Sequence, residues 1–510
     1  MEGNLIVEKL IKYAQYHLHL DELDVCYKRN ELISLLKLNN IYKGECDFSY
    51  IKELKVPDTI IEELKDYILD NKLVDENYLE IFITDILGEL TPLPSTINHT
   101  FTDLKKNFDS EKACKYLYDI SIKNWYIKKT AIEKNLHWFY NPVNSDKFLE
   151  ITVNLSKPEK NNKDTAKLLL KQTGDKYPSC LLCKENEGFE GTLSQPPRRN
   201  LRTIKLNLND EKWFLQFSPY AYYNEHCIII NEDHHPMRID NTTPIKLMDF
   251  VDYLPNYFIG SNAPLPIVGG SILNHEHFQG GEHLMPMHKA QIKEEIKTKY
   301  KDLKFGILDW YNSALQIEGS NKEEIIKLAN NIIDTWNNYS NKSCDIVANE
   351  NGVQHNTVSP ICRKNCNKYY FTIILRNNNT SEQYPDGIFH VHPEYQNIKH
   401  ESIGLIEAMG LFILPGRLKK QFDMIEDILC NITPYNENEL NDPNNTLCVH
   451  KDMIKELVSS GLCNSKDEAA NKLINHVNHV CEKILENTAV FKEDLNGRNG
   501  FKDFINKLDI

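Results

Sequence analysis

The sequence predicts an α+β protein with a helical N-terminal region. Two observations support this prediction. Apolar residues recur at helical spacing through about the first 150 residues, whereas from about Leu168 onward the chain shows apolar alternation and short apolar runs typical of strands. Helical patterns lie between those strands, as expected when helices pack on a sheet.

The N-terminal region repeats one helical pattern in two stretches. The apolar residues that define it are Leu5, Ile6, Leu10, Ile11, Ala14 and Leu18, then Ile60, Ile61, Leu64, Tyr67 and Ile68. This region holds no dense cluster of polar side chains, so we expect it to be scaffold. The polar run Lys157–Thr165 that follows predicts a linker or a surface loop.

Strand and helix patterns alternate in the middle of the chain. The alternation over Trp213–Phe217 and the apolar run Cys227–Ile230 are typical of strands. The further predicted elements are helices at Lys246–Leu254 and Glu323–Trp336, a strand at Tyr369–Leu375 and an apolar helix at Glu401–Leu414. Ser465 and Glu468 form a capping-box pattern for a helix that runs to about Leu485.

These patterns divide the chain into four predicted regions. They are a helical N-terminal region over 1–155, a half carrying the histidine motif described below over 156–300, a second α+β half over 301–430 and a helical C-terminal segment over 431–510.

Composition restricts the partners and the compartment. The 59 lysines and arginines against 73 aspartates and glutamates give a net charge of −14, which argues against a broad nucleic-acid surface but allows a local cationic pocket. No run approaches the roughly 20 apolar residues of a membrane span, and the N-terminus shows no secretion-signal pattern. The thirteen cysteines are scattered and odd in number, so we expect reduced thiols in a cytoplasm.

The most informative stretch is His275–Gln279, which reads His-Glu-His-Phe-Gln between two Gly-Gly pairs. On a strand, His275, His277 and Gln279 would share one face. Two imidazoles and a carboxamide suit a phosphate ester, because an imidazole can attack phosphorus and the amide NH2 can hold a non-bridging oxygen. The glycines let a ligand approach the backbone closely. The alternative is a pair of hydrogen-bonded strand histidines.

The pair Cys180-Leu-Leu-Cys183 is a second candidate site. Two thiolates at this spacing can bind one Zn2+ ion, and since no second CxxC is present the remaining ligands could be histidines. Buried thiols near a turn are one alternative. A redox pair is another, although no thioredoxin-like βαβ pattern surrounds these residues.

The His-x-His-x-Gln motif resembles the active-site motif of galactose-1-phosphate uridylyltransferases, members of the histidine-triad superfamily. Glu276 stands where the best-known members have Pro, and this departure resembles the longer bacterial subgroup. Further phrases that resemble this subgroup are Tyr177–Gly188, Phe217–His226, His355–Pro360 and Gly387–Tyr395. The resemblance extends from about Leu5 to about Leu418. It implies two histidine-triad-like α+β halves with antiparallel sheets, the first for nucleotidyl transfer and the second on the hexose side.

The resemblance implies an enzyme, a nucleotidyltransferase of galactose metabolism that moves UMP from UDP-glucose to galactose 1-phosphate. His277 would attack the α-phosphorus, release glucose 1-phosphate and form a uridylyl-histidine intermediate, from which UDP-galactose is made. Gln279 would donate a hydrogen bond to a phosphoryl oxygen. UDP-glucose and a hexose 1-phosphate are the expected partners, with no organic cofactor, nucleic acid or membrane, and with a homodimeric assembly.

The resemblance also implies a structural zinc ion. Matching the phrases in order gives the ligands Cys180, Cys183, His234 and His275. His235 is the adjacent alternative for the third position. Some family members hold a second metal, and the candidate ligands for it here are His355, His390 and His392.

The predicted substrate-binding residues are Asn262, His275, Ser271, Arg202, Glu407 and His392. By resemblance, the asparagine contacts the nucleotide and the glutamate binds hexose hydroxyls. Arg202 is chosen as a phosphate ligand from a basic cluster in which Arg198 and Arg199 could instead serve surface solubility. Arg363 is a second candidate for the phosphate.

Two other functions fit the motif. A histidine-triad dinucleotide phosphorylase or nucleotidyl hydrolase would share His277 but finish on orthophosphate or water. A non-catalytic, zinc-stabilised nucleotide-binding protein would form no uridylyl adduct. The phrases near His390 and Glu407 argue against the first alternative, and the presence of His277 and Gln279 argues against the second.

Overall fold

The computed structural model describes residues 2–143, 145–155 and 177–510. The predicted linker Lys157–Thr165 lies outside the described residues. The described helices are α1 Gly3–His17, α2 Val25–Leu35, α3 Asp58–Asp70, α4 Leu79–Leu90, α5 Pro94–Asn107, α6 Ser110–Lys123, α7 Lys129–Ile132, α8 Thr243–Tyr253, α9 Lys322–Asn337, α10 Leu405–Ala408, α11 Arg417–Leu429, α12 Glu437–Leu440, α13 Lys451–Ser459, α14 Lys466–Thr488 and α15 Leu495–Ile505.

The described strands form two larger sheets and one short hairpin. They are β1 Leu136–Tyr140, β2 Leu149–Asn154, β3 Ile204–Leu208, β4 Glu211–Phe217, β5 Cys227–Asn231, β6 Phe258–Gly260, β7 His277–Gly281, β8 Ile292–Ile296, β9 Lys304–Leu308, β10 Ala314–Gly319, β11 Asn349–Glu350, β12 Val353–Gln354, β13 Asn356–Asn365, β14 Lys368–Asn377 and β15 Leu411–Pro415.

The N-terminal region is helical up to α7, as the sequence predicts. Ile6 and Leu10 of α1 and Ile61 and Leu64 of α3 are completely buried, so the apolar faces read from the sequence pack against each other. The prediction is wrong for the end of this region, where β1 and β2 form an antiparallel pair. All six residues of β2 are buried, and their sequence alternates apolar and polar residues rather than following helical spacing.

The ten-stranded sheet consists of two halves with the same strand order. The first half runs β3-β4-β5-β7-β6 and the second runs β8-β9-β10-β14-β13 from the opposite edge. A helix, α8 or α9, follows the third strand of each half. The halves meet where β6 pairs with β13 over Phe258–Gly260 and Ile361–Arg363, and this pairing is antiparallel. This architecture confirms the α+β prediction with two antiparallel halves.

Most predicted elements are confirmed, and one is wrong. The predicted strands correspond to β4, β5 and β14, and the predicted helices correspond to α8, α9 and α14. Glu401–Leu414 is not one helix, because it contains only the single turn of α10 followed by β15. β15 pairs in parallel with the buried β2, and a strand buried on both faces has the same continuous apolar run as a buried helix.

Strand β7 lies between β5 and β6 near the middle of the first half. Phe278 stacks on Trp213 with ring centroids 4.9 Å apart, which fixes one face of the strand against the core. Gly280 is required here, because a Cβ at this position would lie 2.4 Å from the Phe258 carbonyl oxygen. The alternation along β7 therefore directs His277 and Gln279 to the face opposite Phe278.

The three boundaries between the four predicted regions, at 155/156, 300/301 and 430/431, stay predictions. None of the described helices combines the length and the apolar composition that crossing a bilayer requires.

Candidate active site

A cavity opens above strand β7 in the first half of the sheet. Its walls come from β7 and the strands beside it, from the segment 269–272, and from the segment 401–407 that precedes β15. The lining residues used below are Arg198, His226, Asn262, Ser271, His277, Gln279, Glu401 and Glu407. The structure therefore brings five of the predicted site residues to one cavity.

His277 is held with one ring nitrogen free for chemistry. Its Nδ1 lies 2.8 Å from the carbonyl oxygen of His275. A carbonyl only accepts hydrogen bonds, so Nδ1 carries the proton and Nε2 carries a lone pair. Burial lowers the pKa of His277 to about 4, which keeps the ring neutral near pH 7. The arrangement is that of an imidazole nucleophile.

Gln279 lies two residues further along the same face and is hydrogen-bonded to His226. The His226 Nε2 atom is 3.1 Å from the Gln279 Oε1 atom. His226 is buried and lines the same cavity. His226 ends one of the phrases that resemble the family, and its sequence context fits either a residue that caps a strand or a functional one, so it was not among the predicted site residues.

Asn262 and Ser271, two of the predicted substrate-binding residues, lie on the cavity wall, and their role stays a prediction. The Asn262 Oδ1 atom accepts a hydrogen bond of 2.8 Å from the Leu405 backbone NH, which joins this wall to the segment that carries Glu407. The Asn262 side chain lies close to the backbone of Gly270, and only glycine allows this, since a Cβ there would lie 2.7 Å from the Asn262 Nδ2 atom.

Glu407 also lines the cavity, next to a lysine that the sequence analysis missed. The Lys399 Nζ atom lies 3.1 Å from a Glu407 carboxylate oxygen and 3.3 Å from a Glu401 carboxylate oxygen. Lys399 is almost completely buried and also donates to the Ile413 carbonyl at 3.0 Å. The buried ammonium therefore lies between two carboxylates and joins them across the wall of the cavity. No spacing pattern in the sequence connects these residues.

Arg202 is not at the cavity, which corrects its predicted place as a phosphate ligand. Its guanidinium donates to the carbonyl oxygens of Thr91, Pro92 and Arg199, at 3.1, 2.5 and 2.9 Å, and so holds the end of α4. Arg198, for which the sequence left a role in surface solubility open, lines the cavity. Arg363 donates to the His288 carbonyl at 3.2 Å, away from the cavity lining.

His392 also lies outside the cavity lining. Its Nε2 atom contacts the Ile388 carbonyl at 3.0 Å, and its ring stacks on Tyr384 at 4.0 Å. His355 bonds instead to the Asn378 side chain at 2.8 Å. Within the described ranges, His355, His390 and His392 do not form a group that could hold a metal ion.

Cys180, Cys183, His234 and His275 form a cluster that could hold a metal ion, with all four ligand atoms within 4.8 Å of one another. The Cys183 Sγ atom lies 3.0 Å from the His234 Nδ1 atom, and the Cys180 Sγ atom lies 3.3 Å from the His275 Nδ1 atom. The hydrogen bond with Cys180 lowers the pKa of Cys183, so one sulfur is available as a thiolate.

The cluster contains the four predicted ligands and differs from the sequence prediction in one detail. The His275 side chain does not share the face of His277, because β7 begins at His277 and the His275 ring turns to the cysteines. His235, the alternative ligand, instead contacts the Glu276 carboxylate at 3.3 Å. The His275 Nε2 atom lies 2.9 Å from the Asn231 carbonyl oxygen, so its proton is there and Nδ1 is free to bind a metal.

Glu276, the residue that departs from the common motif, is completely buried behind β7. Its carboxylate lies 3.3 Å from the Lys246 Nζ atom, which is also completely buried, and accepts a hydrogen bond of 3.0 Å from the Asn231 side chain. This ion pair lies beside both the metal cluster and the start of β7. It therefore fixes the backbone that carries the two histidines.

Two family models match the chain over most of its length. The model of the galactose-1-phosphate uridyl transferase N-terminal domain matches residues 21–236, and that of the C-terminal domain matches residues 250–444. The chain belongs to the galactose-1-phosphate uridylyltransferase family.

Full-length relatives carry the family name. The galactose-1-phosphate uridylyltransferase of Caldanaerobacter subterraneus is 42% identical over 98% of this chain and 96% of its own length. That of Fusobacterium nucleatum is 40% identical over 100% of this chain and 99% of its own length. A crystal structure of the yeast Ap4A phosphorylase Apa2 matches 66% of this chain and 90% of its own with 12% identity, and its TM-score of 0.34 is too low to bear on the fold.

Proposed function

We propose that this chain transfers UMP from UDP-glucose to galactose 1-phosphate through a covalent uridylyl group on the Nε2 atom of His277. Membership of the family supports the reaction. The observation that supports the nucleophile is the contact of the His277 Nδ1 atom with the His275 carbonyl, because it leaves the Nε2 lone pair on a ring that lines the cavity.

In the first step, the His277 Nε2 atom attacks the α-phosphorus of UDP-glucose. A P–N bond forms, the P–O bond to the β-phosphate breaks, and glucose 1-phosphate leaves with the bridging oxygen. In the second step, a phosphate oxygen of galactose 1-phosphate attacks the same phosphorus, the P–N bond breaks and UDP-galactose forms. The Gln279 amide donates to a non-bridging oxygen as charge redistributes in each transition state.

The remaining cavity residues bind the substrates. Asn262 and Ser271 contact the nucleotide and its phosphates, and Arg198 takes the phosphate role that the sequence assigned to Arg202. Glu407 accepts hydrogen bonds from hexose hydroxyls, held in place by its contact with Lys399. His275 acts through its backbone carbonyl, which orients the nucleophile. The position of His392, outside the cavity lining, does not support a contact with the substrate.

Cys180, Cys183, His234 and His275 would hold a zinc ion. Two sulfurs and two imidazole nitrogens are a common zinc ligand set, and four protein ligands leave no position for a reactive water. The ion would supply rigidity, because it ties the cysteine segment to the residue that precedes the nucleophile strand. A cytoplasmic location is supported by the thirteen cysteines, none of which is paired in a disulfide. The homodimer stays a prediction.

The experiment that tests the function is intact mass measurement of the protein after incubation with UDP-glucose. We expect a mass increase of one uridylyl group in the wild type and none in His277→Ala. Adding galactose 1-phosphate should remove the adduct and yield UDP-galactose. Removal by orthophosphate or by water instead would identify the phosphorylase or hydrolase, and a wild type without any adduct would contradict transferase chemistry.

A further inference from the structure

The carboxamide of Gln279 has two ends, and only one of them can assist phosphoryl transfer. Its NH2 group donates hydrogen bonds, whereas its Oε1 atom accepts them and would repel a phosphoryl oxygen. The amide can rotate by 180° about its last side-chain bond with little steric difference. The function proposed above therefore requires a neighbour that decides which end faces the substrate.

His226 is the described residue whose side chain contacts the Oε1 end. It lies directly before β5, and the pairing of Ile228 with Gln279 brings it beside the amide. The distance from the His226 Nε2 atom to the Oε1 atom is 3.1 Å. An amide oxygen accepts only, so the Nε2 atom is the donor in this contact.

The His226 ring is itself fixed by aromatic neighbours. It stacks on Tyr222 with centroids 5.2 Å apart and contacts Tyr223 at 4.7 Å. The Tyr223 hydroxyl donates to the Gly280 carbonyl at 3.0 Å, one residue beyond Gln279. Tyr223, which contacts the His226 ring, is thus bonded to strand β7, and the same strand carries Gln279. His226 is only 2% exposed, so water does not compete freely for the contact.

We propose that His226 is a positioning residue for the transfer reaction, which holds the Oε1 end of Gln279 so that the NH2 group faces the reacting phosphoryl group. The proposal rests on the function proposed above. Without the Nε2 donor, the amide can present its oxygen to the substrate, and the charge developing in the transition state loses its hydrogen bond.

A double-mutant cycle tests the proposal. Gln279→Ala should lower kcat by about 10^2-fold, and His226→Phe, which keeps an aromatic ring but removes the donor, should lower kcat by about tenfold. The double variant should be no slower than Gln279→Ala, and KM should change by less than about twofold, because the contact acts on the transition state. If the two losses multiply in the double variant, the proposal is wrong.

Two further variants keep the test independent of how well His226→Phe folds. His226→Gln offers an amide donor and His226→Glu offers only acceptors, although the two side chains are nearly isosteric. We expect His226→Gln to be clearly faster than His226→Glu, and equal rates would overturn the donor role. His283→Phe is the control at a neighbouring histidine, because His283 stacks on Tyr223 at 5.3 Å and bonds to Glu150 at 2.6 Å but has no described contact with Gln279. Its effect should multiply with that of Gln279→Ala.

The outcome is separable from failure of the proposed function. A wild type that forms no uridylyl adduct would contradict the function. A wild type that forms the adduct, with multiplying losses in the cycle, would contradict only the role of His226.

Discussion

The two halves of the ten-stranded sheet have the same strand order, but their polar side chains differ in what they contact. In the second half, the Thr372 hydroxyl donates to Gln316 at 3.2 Å and Gln316 donates to Glu318 at 2.8 Å. In the first half, His277 and Gln279 occupy β7, which is the counterpart of β14, and both line a cavity. The strand β14 contains no histidine.

This difference shows that the shared strand order does not by itself create a reactive site. In the second half, Thr372, Gln316 and Glu318 bond to one another within the sheet, and none of the three lines the cavity. The first half leaves a lone pair and an amide facing the cavity, and it receives a wall from the segment 401–407, which follows the second half in the chain. The sheet supplies positions, and the chemistry comes from the side chains placed there.

The largest expected effect comes from removing the nucleophile. His277→Ala should abolish the uridylyl adduct and lower exchange by about 10^4-fold or more, because no other group can form the covalent intermediate. Thr372→Ala, on the corresponding strand, should leave exchange near the wild-type level. The steady-state exchange rate and the intact mass after incubation with UDP-glucose are measured for both variants. If His277→Ala kept a tenth of the wild-type rate, the assignment would be wrong.

A second comparison uses one buried and one exposed ion pair. Lys246→Met should lower the free energy of unfolding by about 3–5 kcal/mol, because it leaves the Glu276 carboxylate buried without its lysine. Lys368→Met should cost only about 0–1 kcal/mol, since the side chain of Lys368 is 45% exposed in its pair with Glu318. Urea unfolding of the two variants measures the difference. Equal losses would mean that Glu276 does not depend on Lys246.

The metal cluster distinguishes the halves in a third way. Cys183→Ser should lose the bound metal and at least about 2.7 kcal/mol of stability, the contribution of a ligand present at about 100 times its Kd. Cys362→Ser is the matched control, because Cys362 is a buried cysteine of β13 outside the cluster. Elemental analysis and thermal unfolding report the outcome. A fully active wild type with less than about a tenth of an equivalent of metal would exclude the site.

The smallest effect is expected on the hexose wall. Glu407→Gln should raise KM for galactose 1-phosphate by about tenfold, because hydrogen bonds to a carboxylate are stronger than those to an amide. Lys399 keeps its contacts with Glu401 and the Ile413 carbonyl, so the wall should stay in place. Initial rates measured over a range of galactose 1-phosphate concentrations determine this KM for the variant and the wild type. An unchanged KM would show that the hexose does not contact Glu407.

The sequence was informative where a short pattern corresponds to one environment. The alternation over Trp213–Phe217 and the helical spacing in Glu323–Trp336 identified β4 and α9, because each spacing is typical of one kind of element. The segment Glu401–Leu414 was predicted wrongly, since an apolar run of this length fits a buried helix as well as a buried strand. Only the pairing of β15 with β2 decides it, and that contact spans about 260 residues of chain.

The site shows the same limit. Two residues that are neighbours in sequence, His234 and His235, can be distinguished only by the direction in which the chain turns after β5. The choice of Arg202 over Arg198 failed because burial of a guanidinium against backbone carbonyls leaves no trace in the local sequence. The chemistry of His277 and Gln279 could be proposed from residue types, whereas the contact of His226 with Gln279 and that of Lys399 with Glu407 required the structure.

Joining β6 to β13 leaves the ten-stranded sheet with two outer edges, β3 and β8, where unpaired backbone groups could recruit another chain. A different feature at each edge disfavours pairing with an added strand. The Asn98 side chain of α5 bonds to the backbone NH of Lys205 and to the carbonyl of Thr203, and thereby occupies groups that an added strand would use. The edge β8 instead exposes three consecutive charged residues, Lys293–Glu295, which disfavour edge-to-edge aggregation.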